Sequence, residues 1–313
     1  MSGARILFVG LSTAGSLIHR VFPAWMEELG LEVRIQGLDI PAGADAQVYH
    51  SLVTEIGARD DLLGAVVTAH KLPLFAAARE LVEPADPYVE LLGEINVIAK
   101  SRGALVARAL DPVAIGRVLP TLLAGRTPEE VLCLGAGGAG TAVTASLVLD
   151  QTADGLVPRL AAFPRRVIVS DTGSARLAAL REVLALASET GAELESLEVD
   201  GAEGNSARLR SLAAGSLVVN ATGLGKESDA SPITDSTPFP SAAIAWDLNY
   251  RGPLPFLRAA RSQAPVAGLL VEDGWRYFVE SWSLALEQIL GLQGEADLVA
   301  RLATVADRVR ARP

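Results

Sequence analysis

The sequence predicts an α/β fold with two domains, each built on a sheet that is largely parallel. Short apolar strands alternate with helical patterns along the whole chain, and this alternation favours parallel sheets covered by helices. The chain has 313 residues, about twice the roughly 150 expected for one domain. Gly, Pro and polar residues cluster at 124–129, which is the expected boundary between the domains.

The first half of the chain contains short runs with the period of strands and longer runs with the period of helices. The predicted strands are residues 5–10, 32–38 and 63–68, with a hairpin formed by 95–99 and 105–109. The predicted helices are residues 16–29, 44–56 and 114–123, the last of them stopped by Gly125 and Pro128.

The second half repeats this alternation from residue 130 onward. Its predicted strands are residues 131–134, 167–170, 194–199, 217–220, 243–248 and 265–269. Its predicted helices are residues 138–149, 175–188, 274–290 and 295–310. Prolines and a glycine in 150–166 predict an extra loop between the first helix and the second strand of this half.

Composition and charge exclude several classes of protein. The net charge of −10 argues against nucleic acid or an anionic membrane as a partner, because both require a basic surface. Cys133 is the only cysteine and lies in an apolar run, so we expect a buried thiol and no internal disulfide. Three scattered histidines give no metal-ligand spacing, so no metal site is expected. The N-terminus has no signal pattern and no apolar run approaches ~18 residues, which predicts a cytoplasmic protein.

A glycine-rich turn joins a predicted strand to a predicted helix. It comprises Gly135, Ala136, Gly137, Gly138 and Ala139, and it ends at Gly140. Such a turn lets the backbone approach a diphosphate, whose charge is stabilised by the free N–H groups of the helix N-terminus. The turn therefore predicts a nicotinamide dinucleotide site. The alternative is a tight turn that binds nothing.

Acidic Asp171 follows the second strand of this half, where a carboxylate commonly accepts hydrogen bonds from the adenosine ribose. A carboxylate repels a 2′-phosphate, and the adjoining residues from Thr172 to Ser174 contain no arginine, so the sequence favours NAD over NADP. Two observations weaken this preference. Arg176 is within reach on the following helix, and Asp171 is also a good candidate for a helix N-cap.

Five segments, in order along the chain, resemble the shikimate dehydrogenase family. His70-Lys71 is similar to the family's "PHK", and the segment from Gly93 to Val97 resembles "GA-x-N-T". The turn at 131–139 resembles the family's cofactor turn, and 218–225 resembles "VNAT-x-LG". Asp247 and Tyr250 match a "D-x-x-Y" strand end.

The resemblance implies a substrate-binding domain at 1–112, completed by C-terminal helices at 274–313, and a Rossmann-type dinucleotide domain at 113–273. It implies that Lys71 and Asp111 act together on a substrate hydroxyl while hydride passes to the nicotinamide. The implied substrate-binding residues are Ser12, Thr13, Ser16, Thr68, Asn96, Tyr250 and Asp273. Further implied cofactor contacts are Asn220, Ala221, Thr222, Leu248 and Gly268. An exposed surface lysine and a helix N-cap are the alternative roles for Lys71 and Asp111.

The substrate motifs depart from the family pattern. Thr13 and Gly15 stand where the family has a serine pair, and Ala65 and Val67 replace the first Asn and the Thr of "NVT-x-PHK". Asp273 stands in place of a glutamine. A site that loses hydroxyl donors and gains a carboxylate should disfavour acids such as shikimate. We therefore expect a polyol, a cyclitol or an amino-bearing ring alcohol as the substrate.

Other functions remain compatible with these residues. An authentic shikimate or quinate dehydrogenase is one, and a non-catalytic protein that senses NAD or a metabolite is another. A methylenetetrahydrofolate dehydrogenase would need a Tyr-x-x-x-Lys pair, and Val67 occupies the tyrosine position. The expected partners are a small hydroxylated substrate and a second copy of the chain in a homodimer.

Overall fold

The computed structural model describes residues 3–149, 160, 162–185, 190–294 and 297–312. The chain divides into two compact units, one formed by Met1–Asp111 with Val279–Pro313 and the other by Pro112–Phe278. Both units combine helices with a six-stranded sheet, so the predicted α/β class is confirmed. Most of the loop predicted at 150–166 lies outside the described residues.

The first unit contains a mixed sheet. Its strands are β1 (Ala4–Gly10), β2 (Val33–Asp39), β3 (Leu62–Val67), β4 (Glu83–Pro84), β5 (Val97–Ser101) and β6 (Ala104–Arg108), in the order β2-β1-β3-β5-β6-β4. β1 pairs in parallel with β2 and β3, whereas β5 pairs antiparallel with β3 and, in the predicted hairpin, with β6. The carboxyl ends of β1 and β3 therefore lie at one edge of the sheet.

Helices connect these strands. They are α1 (Ile18–Leu29), α2 (Ala46–Ala58), α3 (Lys71–Ala78) and α4 (Pro87–Leu92), and a single 3₁₀ turn spans Arg79–Leu81. α5 (Asp111–Leu123) begins where the second unit starts. The short helices α3 and α4 were not predicted. α3 carries Pro73 in its first turn, where the missing N–H of proline costs no hydrogen bond.

The second unit contains a parallel sheet. Its strands are β7 (Glu130–Leu134), β8 (Arg166–Asp171), β9 (Glu193–Glu198), β10 (Leu217–Asn220), β11 (Ile244–Asp247) and β12 (Leu270–Glu272), in the order β12-β11-β10-β7-β8-β9. Its helices after α5 are α6 (Gly138–Val148), α7 (Ser174–Ala185), α8 (Gly201–Arg210) and α9 (Pro255–Ala267). This is the strand order of a Rossmann sheet. Successive strands are added on one side of β7 as far as β9 and on its other side from β10 onward, so the strand order reverses between β7 and β10. Ligands of such sheets bind at the carboxyl ends of the strands beside that reversal.

One strand prediction is wrong. Residues 265–269 were expected to form a strand, but α9 continues to Ala267 and ends at Gly268, which has a φ of 69°. Pro265 lies inside this helix, although proline usually interrupts one. Here the helix continues past it, and the strand β12 starts later, at Leu270.

The chain ends in α10 (Trp275–Leu290) and α11 (Leu298–Arg310), as predicted to within a few residues. α11 packs on α1 of the first unit, where the buried Trp25 indole N–H donates to the Leu302 carbonyl at 2.7 Å. None of the helices in the described residues is long and apolar enough to cross a bilayer.

Candidate active site

An ion pair between Lys71 and Asp111 lies in the first unit. The Lys71 ammonium contacts Oδ2 of Asp111, and the two side chains are only 14% and 6% exposed. The other carboxylate oxygen, Oδ1, accepts a hydrogen bond from Asn96 Nδ2 at 2.9 Å. Ser281 Oγ of α10 also donates to this oxygen, at 3.5 Å. The structure thus brings together Lys71, Asp111 and Asn96, three residues singled out from the sequence.

Local structure explains why this pair is fixed. Lys71 is the first residue of α3, and a cation is unfavourable at a helix N-terminus. The carboxylate of Asp111, in the first turn of α5, compensates that charge. Asn96 in turn accepts from the Leu110 N–H at 2.9 Å, so its amide is oriented by the segment that leads into α5. Asp111 is therefore held by its partners instead of serving only as a helix cap.

A second carboxyl, which the sequence reasoning did not select, lies beside Lys71. Glu94 Oε1 is 3.9 Å from Lys71 Nζ, and the Glu94 side chain is 2% exposed. Burial raises the pKa of Glu94 above its usual range, the positive charge of Lys71 opposes this effect, and Asp86 adds to it. The available signal was an acidic residue in the segment that resembles "GA-x-N-T", at the place of its alanine.

Three of the four predicted substrate residues after β1 and β3 have hydrogen-bond partners within the protein. Thr13 is buried, and both its N–H, at 2.8 Å, and its hydroxyl, at 2.7 Å, donate to Asp39 Oδ1 at the end of β2. Thr68 donates to the Val9 carbonyl at 3.2 Å, and Ser16 Oγ accepts from the Ile18 N–H at 3.4 Å. Ser12 is exposed. The substrate contacts of these four residues stay predictions.

Tyr250 and Asp273, also predicted to bind substrate, belong to the second unit. The ring of Tyr250 packs against Phe278 and Trp275, with centroids 4.5 and 5.8 Å apart. Asp273 Oδ1 accepts from the Trp275 N–H at 2.9 Å and so caps the start of α10. Asp273 therefore has a structural role, whatever else it binds.

The glycine turn has the backbone geometry that its sequence predicts. Gly135 has a φ of 105°, which favours glycine, and its N–H donates to the Ser170 carbonyl at 2.7 Å. A Cβ on Gly140 would overlap the carbonyl oxygen of Gly135, so this glycine allows α6 to pack on the turn. At Gly137, the N-cap of α6, a Cβ would meet no other described atom within 4 Å. The turn therefore leaves room in front of the first N–H groups of α6.

Asp171 is fixed against the same turn. Its carboxylate accepts from the N–H groups of Ala136 and Gly173, at 2.8 and 2.7 Å, and from the Arg176 guanidinium. Burial opposes ionisation of Asp171, but the hydrogen bonds from Arg176, Ala136 and Gly173 outweigh burial and lower its pKa. Thr172 beside it is exposed. The sequence reasoning considered Asp171 for a ribose or a helix cap, and missed its bond to the turn.

The carboxyl end of β10 lies beside the glycine turn. The Ala221 N–H donates to the Leu134 carbonyl at 2.8 Å, and Asn220 Oδ1 accepts from the hydroxyl of Thr222 at 2.7 Å. The Leu248 N–H donates to the Asn220 carbonyl at 3.0 Å, which places the end of β11 at the same edge. These four predicted cofactor residues thus lie at the edge of the sheet that carries Gly135.

Gly268 is the exception among the predicted cofactor contacts. It terminates α9 and precedes β12, so it lies at the amino-terminal edge of the parallel sheet, opposite the glycine turn. Its contact with a cofactor, implied by the resemblance, stays a prediction. The strand expected at 265–269, which contained Gly268, was placed several residues too early.

The residues at this edge fit a dinucleotide. The N–H groups at the start of an α-helix lack partners within the helix, and the space at Gly137 would admit a diphosphate to them. Among the described residues, no group of three or more His, Cys, Asp or Glu side chains is arranged to hold a metal ion.

Comparison with known proteins gives consistent matches. A shikimate dehydrogenase (NADP(+)) of Streptococcus pneumoniae is 28% identical over 178 residues, which cover 56% of this chain and 57% of that enzyme. The match thus spans little more than half of this curated relative. No protein-family model matches the chain.

Solved structures match over nearly the whole chain. The shikimate 5-dehydrogenase of Thermus thermophilus, crystallised with NADP(H) and shikimate, has a TM-score of 0.69 and 26% identity, covering 98% of this chain and 99% of its own. A 5-ketofructose reductase of Gluconobacter sp. strain CHM43 has the same TM-score of 0.69 at 19% identity, covering 99% of both chains. The second likeness concerns the fold alone. In sequence and in fold, the chain is shikimate dehydrogenase-like.

Proposed function

We propose that this protein is an NAD-dependent oxidoreductase that transfers hydride between a ring or polyol secondary alcohol and the nicotinamide. The observation that carries this proposal is the largely buried Lys71–Asp111 pair, oriented by Asn96. Oxidation of an alcohol requires a base for the hydroxyl proton, and reduction of the ketone requires an acid. A lysine held next to a carboxylate can serve both directions.

Each residue of the pair has a separate task in this proposal. In oxidation, neutral Lys71 takes the hydroxyl proton as the carbinol carbon loses its hydride. In reduction, the Lys71 ammonium returns a proton to the carbonyl oxygen. Asp111 stabilises the charged form of Lys71 and fixes its position. Bound nicotinamide dinucleotide supplies the chemistry of accepting or donating the hydride, and the glycine turn with Asn220 and Thr222 would hold it.

The preference for NAD rests on the charge around Asp171. A 2′-phosphate near this carboxylate would be repelled, which makes NADP the less favoured cofactor. Arg176 acts in the opposite direction, since its side chain is 55% exposed and could turn toward a phosphate. The Streptococcus pneumoniae relative is named for NADP(+), and the Thermus thermophilus enzyme was crystallised with NADP(H), so both cofactors belong in the test.

The preference against shikimate rests on Thr13 and Asp273. Thr13 stands where the resembling family has a serine, and its hydroxyl is already bonded to Asp39. Asp273 places a negative charge where the family has a neutral glutamine. Both changes favour an uncharged or amino-bearing alcohol over an acid. Shikimate or quinate oxidation is the second candidate, favoured by the Thermus thermophilus enzyme that was crystallised with shikimate.

Steady-state kinetics with a panel of alcohols tests the proposal. The panel contains polyols, cyclitols, amino-bearing ring alcohols, shikimate and quinate, each with NAD and with NADP. A neutral alcohol with NAD should give the highest kcat/KM, and Lys71→Met should lower it by roughly 100-fold or more, as expected for loss of a general acid–base. If shikimate with NADP is best, the chain is an authentic shikimate dehydrogenase. Dinucleotide binding without turnover of any alcohol would indicate a sensor.

A further inference from the structure

Glu94 is a buried acid whose environment provides little stabilisation for a negative charge. It lies between α4 and β5, its side chain is 2% exposed, and Oε1 has no hydrogen-bond partner among the described residues. Lys71 Nζ is the nearest cation, at 3.9 Å, which is beyond hydrogen-bond distance. A buried carboxylate oxygen without a donor is unfavourable, which favours the neutral form of Glu94.

The charge balance of the cluster leads to the same conclusion. Lys71 carries one positive charge and Asp111, in direct contact with it, one negative charge. An ionised Glu94 would add a second, uncompensated negative charge. Asp86, a further carboxyl that acts on Glu94, would increase the repulsion, although Arg108 offsets part of the charge of Asp86. The charge balance therefore favours a protonated, neutral Glu94 beside the Lys71–Asp111 ion pair.

We propose that Glu94 is a proton-holding partner of Lys71: a carboxyl that is protonated in the resting site and returns a proton to the lysine amine after that amine has protonated the substrate. This inference rests on the proposed function of Lys71. In the resembling segment Glu94 stands at the position of an alanine, so it departs from that motif.

In carbonyl reduction, one proton moves from Lys71 to the substrate and a second moves from Glu94 to Lys71. The Lys71 ammonium gives its proton to the carbonyl oxygen as the carbonyl carbon is reduced by a hydride, which a bound nicotinamide cofactor would supply. The O–H bond of Glu94 then breaks and an N–H bond forms on Lys71, which leaves a carboxylate next to an ammonium. Closing the 3.9 Å separation to hydrogen-bond distance needs a movement of about 1 Å, within the reach of side-chain rotation. The carboxylate regains its proton from water when the alcohol leaves, and oxidation uses the reverse sequence.

Infrared difference spectroscopy tests the protonation of Glu94 without any substrate. The spectrum of the full-length wild type minus that of Glu94→Gln, at neutral pH, should contain the C=O band of a protonated carboxylic acid. Only carboxylate bands in that difference would overturn the proposal. The matched control is Glu90→Gln, since Glu90 lies in α4 and forms an ion pair with Arg79 in which both side chains are 46% exposed. This control should give only carboxylate bands.

Kinetics tests the relay itself. Glu94→Gln should lower kcat for carbonyl reduction by roughly tenfold, a smaller effect than that of Lys71→Met, which removes the general acid. The KM values for the ketone and for the reduced cofactor should be nearly unchanged. The activity of the variant should rise with the concentration of a small buffer acid, which can return the proton to Lys71. Glu94→Ala, which restores the residue of the family pattern, should show the same lower kcat and the same response to buffer. It provides a second test if the glutamine variant misfolds.

The outcomes separate this inference from the proposed function. If Lys71→Met is inactive while both Glu94 variants keep wild-type kcat and show no response to buffer, the function stands and the relay is wrong. If the wild type converts no alcohol or ketone, the proposed function fails. The infrared band still reports whether Glu94 is protonated, and its absence overturns the inference in that case too.

Discussion

The Asp171 carboxylate joins two strands of the Rossmann sheet by accepting a hydrogen bond from the Ala136 N–H at 2.8 Å. Asp171 ends β8 and Ala136 follows β7, so this bond ties the second strand to the turn that would hold the diphosphate. A carboxylate at this place is usually considered for what it offers to a ribose. Here the same side chain also shapes the turn, so one substitution should affect both the stability of the fold and the binding of a dinucleotide.

Asp171→Ala should destabilise the protein and weaken dinucleotide binding together. The variant removes the acceptor of the Ala136 N–H, which is buried, and an unsatisfied buried donor costs about 1–3 kcal/mol. Urea unfolding and titration calorimetry with NAD measure the two effects. Arg176→Ala is the matched control, because it leaves both backbone donors on Asp171 and removes a side chain that is 55% exposed. Unchanged unfolding of Asp171→Ala would contradict the structural role.

The glycine turn yields a prediction in which two similar substitutions have different effects. Gly137→Ala should fold normally, because its φ of −76° is ordinary and its Cβ would meet no other described atom within 4 Å. That Cβ would occupy the space proposed for the diphosphate, so the Kd for NAD should rise by about tenfold, or ~1.4 kcal/mol.

Gly140→Ala should act mainly on stability, whereas Gly137→Ala should act mainly on NAD binding. Its Cβ would overlap the carbonyl oxygen of Gly135, and overpacking of this kind typically costs about 1–3 kcal/mol of stability. Thermal unfolding of both variants, with calorimetry at a temperature where both are folded, separates the effects. If Gly137→Ala binds NAD as tightly as the wild type, the diphosphate does not lie in front of α6.

Asn96 should affect activity through Asp111. Asn96→Ala removes the 2.9 Å hydrogen bond to Asp111 Oδ1 and leaves the Leu110 N–H without its acceptor. We expect a loss of stability of about 1–3 kcal/mol, since that donor is buried. The kcat should fall more than KM rises, because Asp111 would orient Lys71 less well. A variant with reduced stability and unchanged kcat would show that Asn96 serves the fold only.

Much of the fold could be predicted because the decisive signals are local. The strand before Gly135, the turn and the helix that follows it are contiguous in sequence, and the hairpin of β5 and β6 turns over a few residues. Four helices were missed: α8 contains Gly201 and Gly204, α9 is interrupted by Pro265, and α3 and α4 have only eight and six residues. Periodicity over one or two turns cannot distinguish such helices from loops.

The site could be predicted only in part, for a related reason. Lys71 was found because it lies in a recognisable segment, and Asp111 was implied as its partner by the family resemblance. Their contact depends on pairing between strands distant in sequence. In the sequence, Glu94 is only a mismatch to the alanine of a weak motif. Its burial beside Lys71, which only the structure shows, makes it a candidate for proton transfer. Thr13 and Asp273 were considered for substrate binding, and their hydrogen bonds to Asp39 and Trp275 cannot be inferred from spacing.

Asp247 should make the protein less stable as the pH rises toward neutrality. Burial raises the pKa of Asp247 to about 6 from 3.8, and the charge of Asp273 adds to this effect. Between these two values the folded chain binds more protons than the unfolded chain, so the free energy of unfolding falls as the pH rises. A shift of this size corresponds to an upper limit of about 3 kcal/mol.

Asp247→Asn removes the titrating group and can keep the acceptor for the Asn249 N–H, which lies 2.9 Å from Oδ1. Compared with the wild type, the variant should gain stability as the pH is raised from about 4 to 7 and reach a constant advantage above that range. Urea unfolding at intervals of pH measures this difference. Asp229→Asn is the control, because Asp229 is 75% exposed and should give a difference that is small and nearly independent of pH. A wild type that gains stability relative to Asp247→Asn over this range would mean that Asp247 is stabilised as a carboxylate in the folded protein.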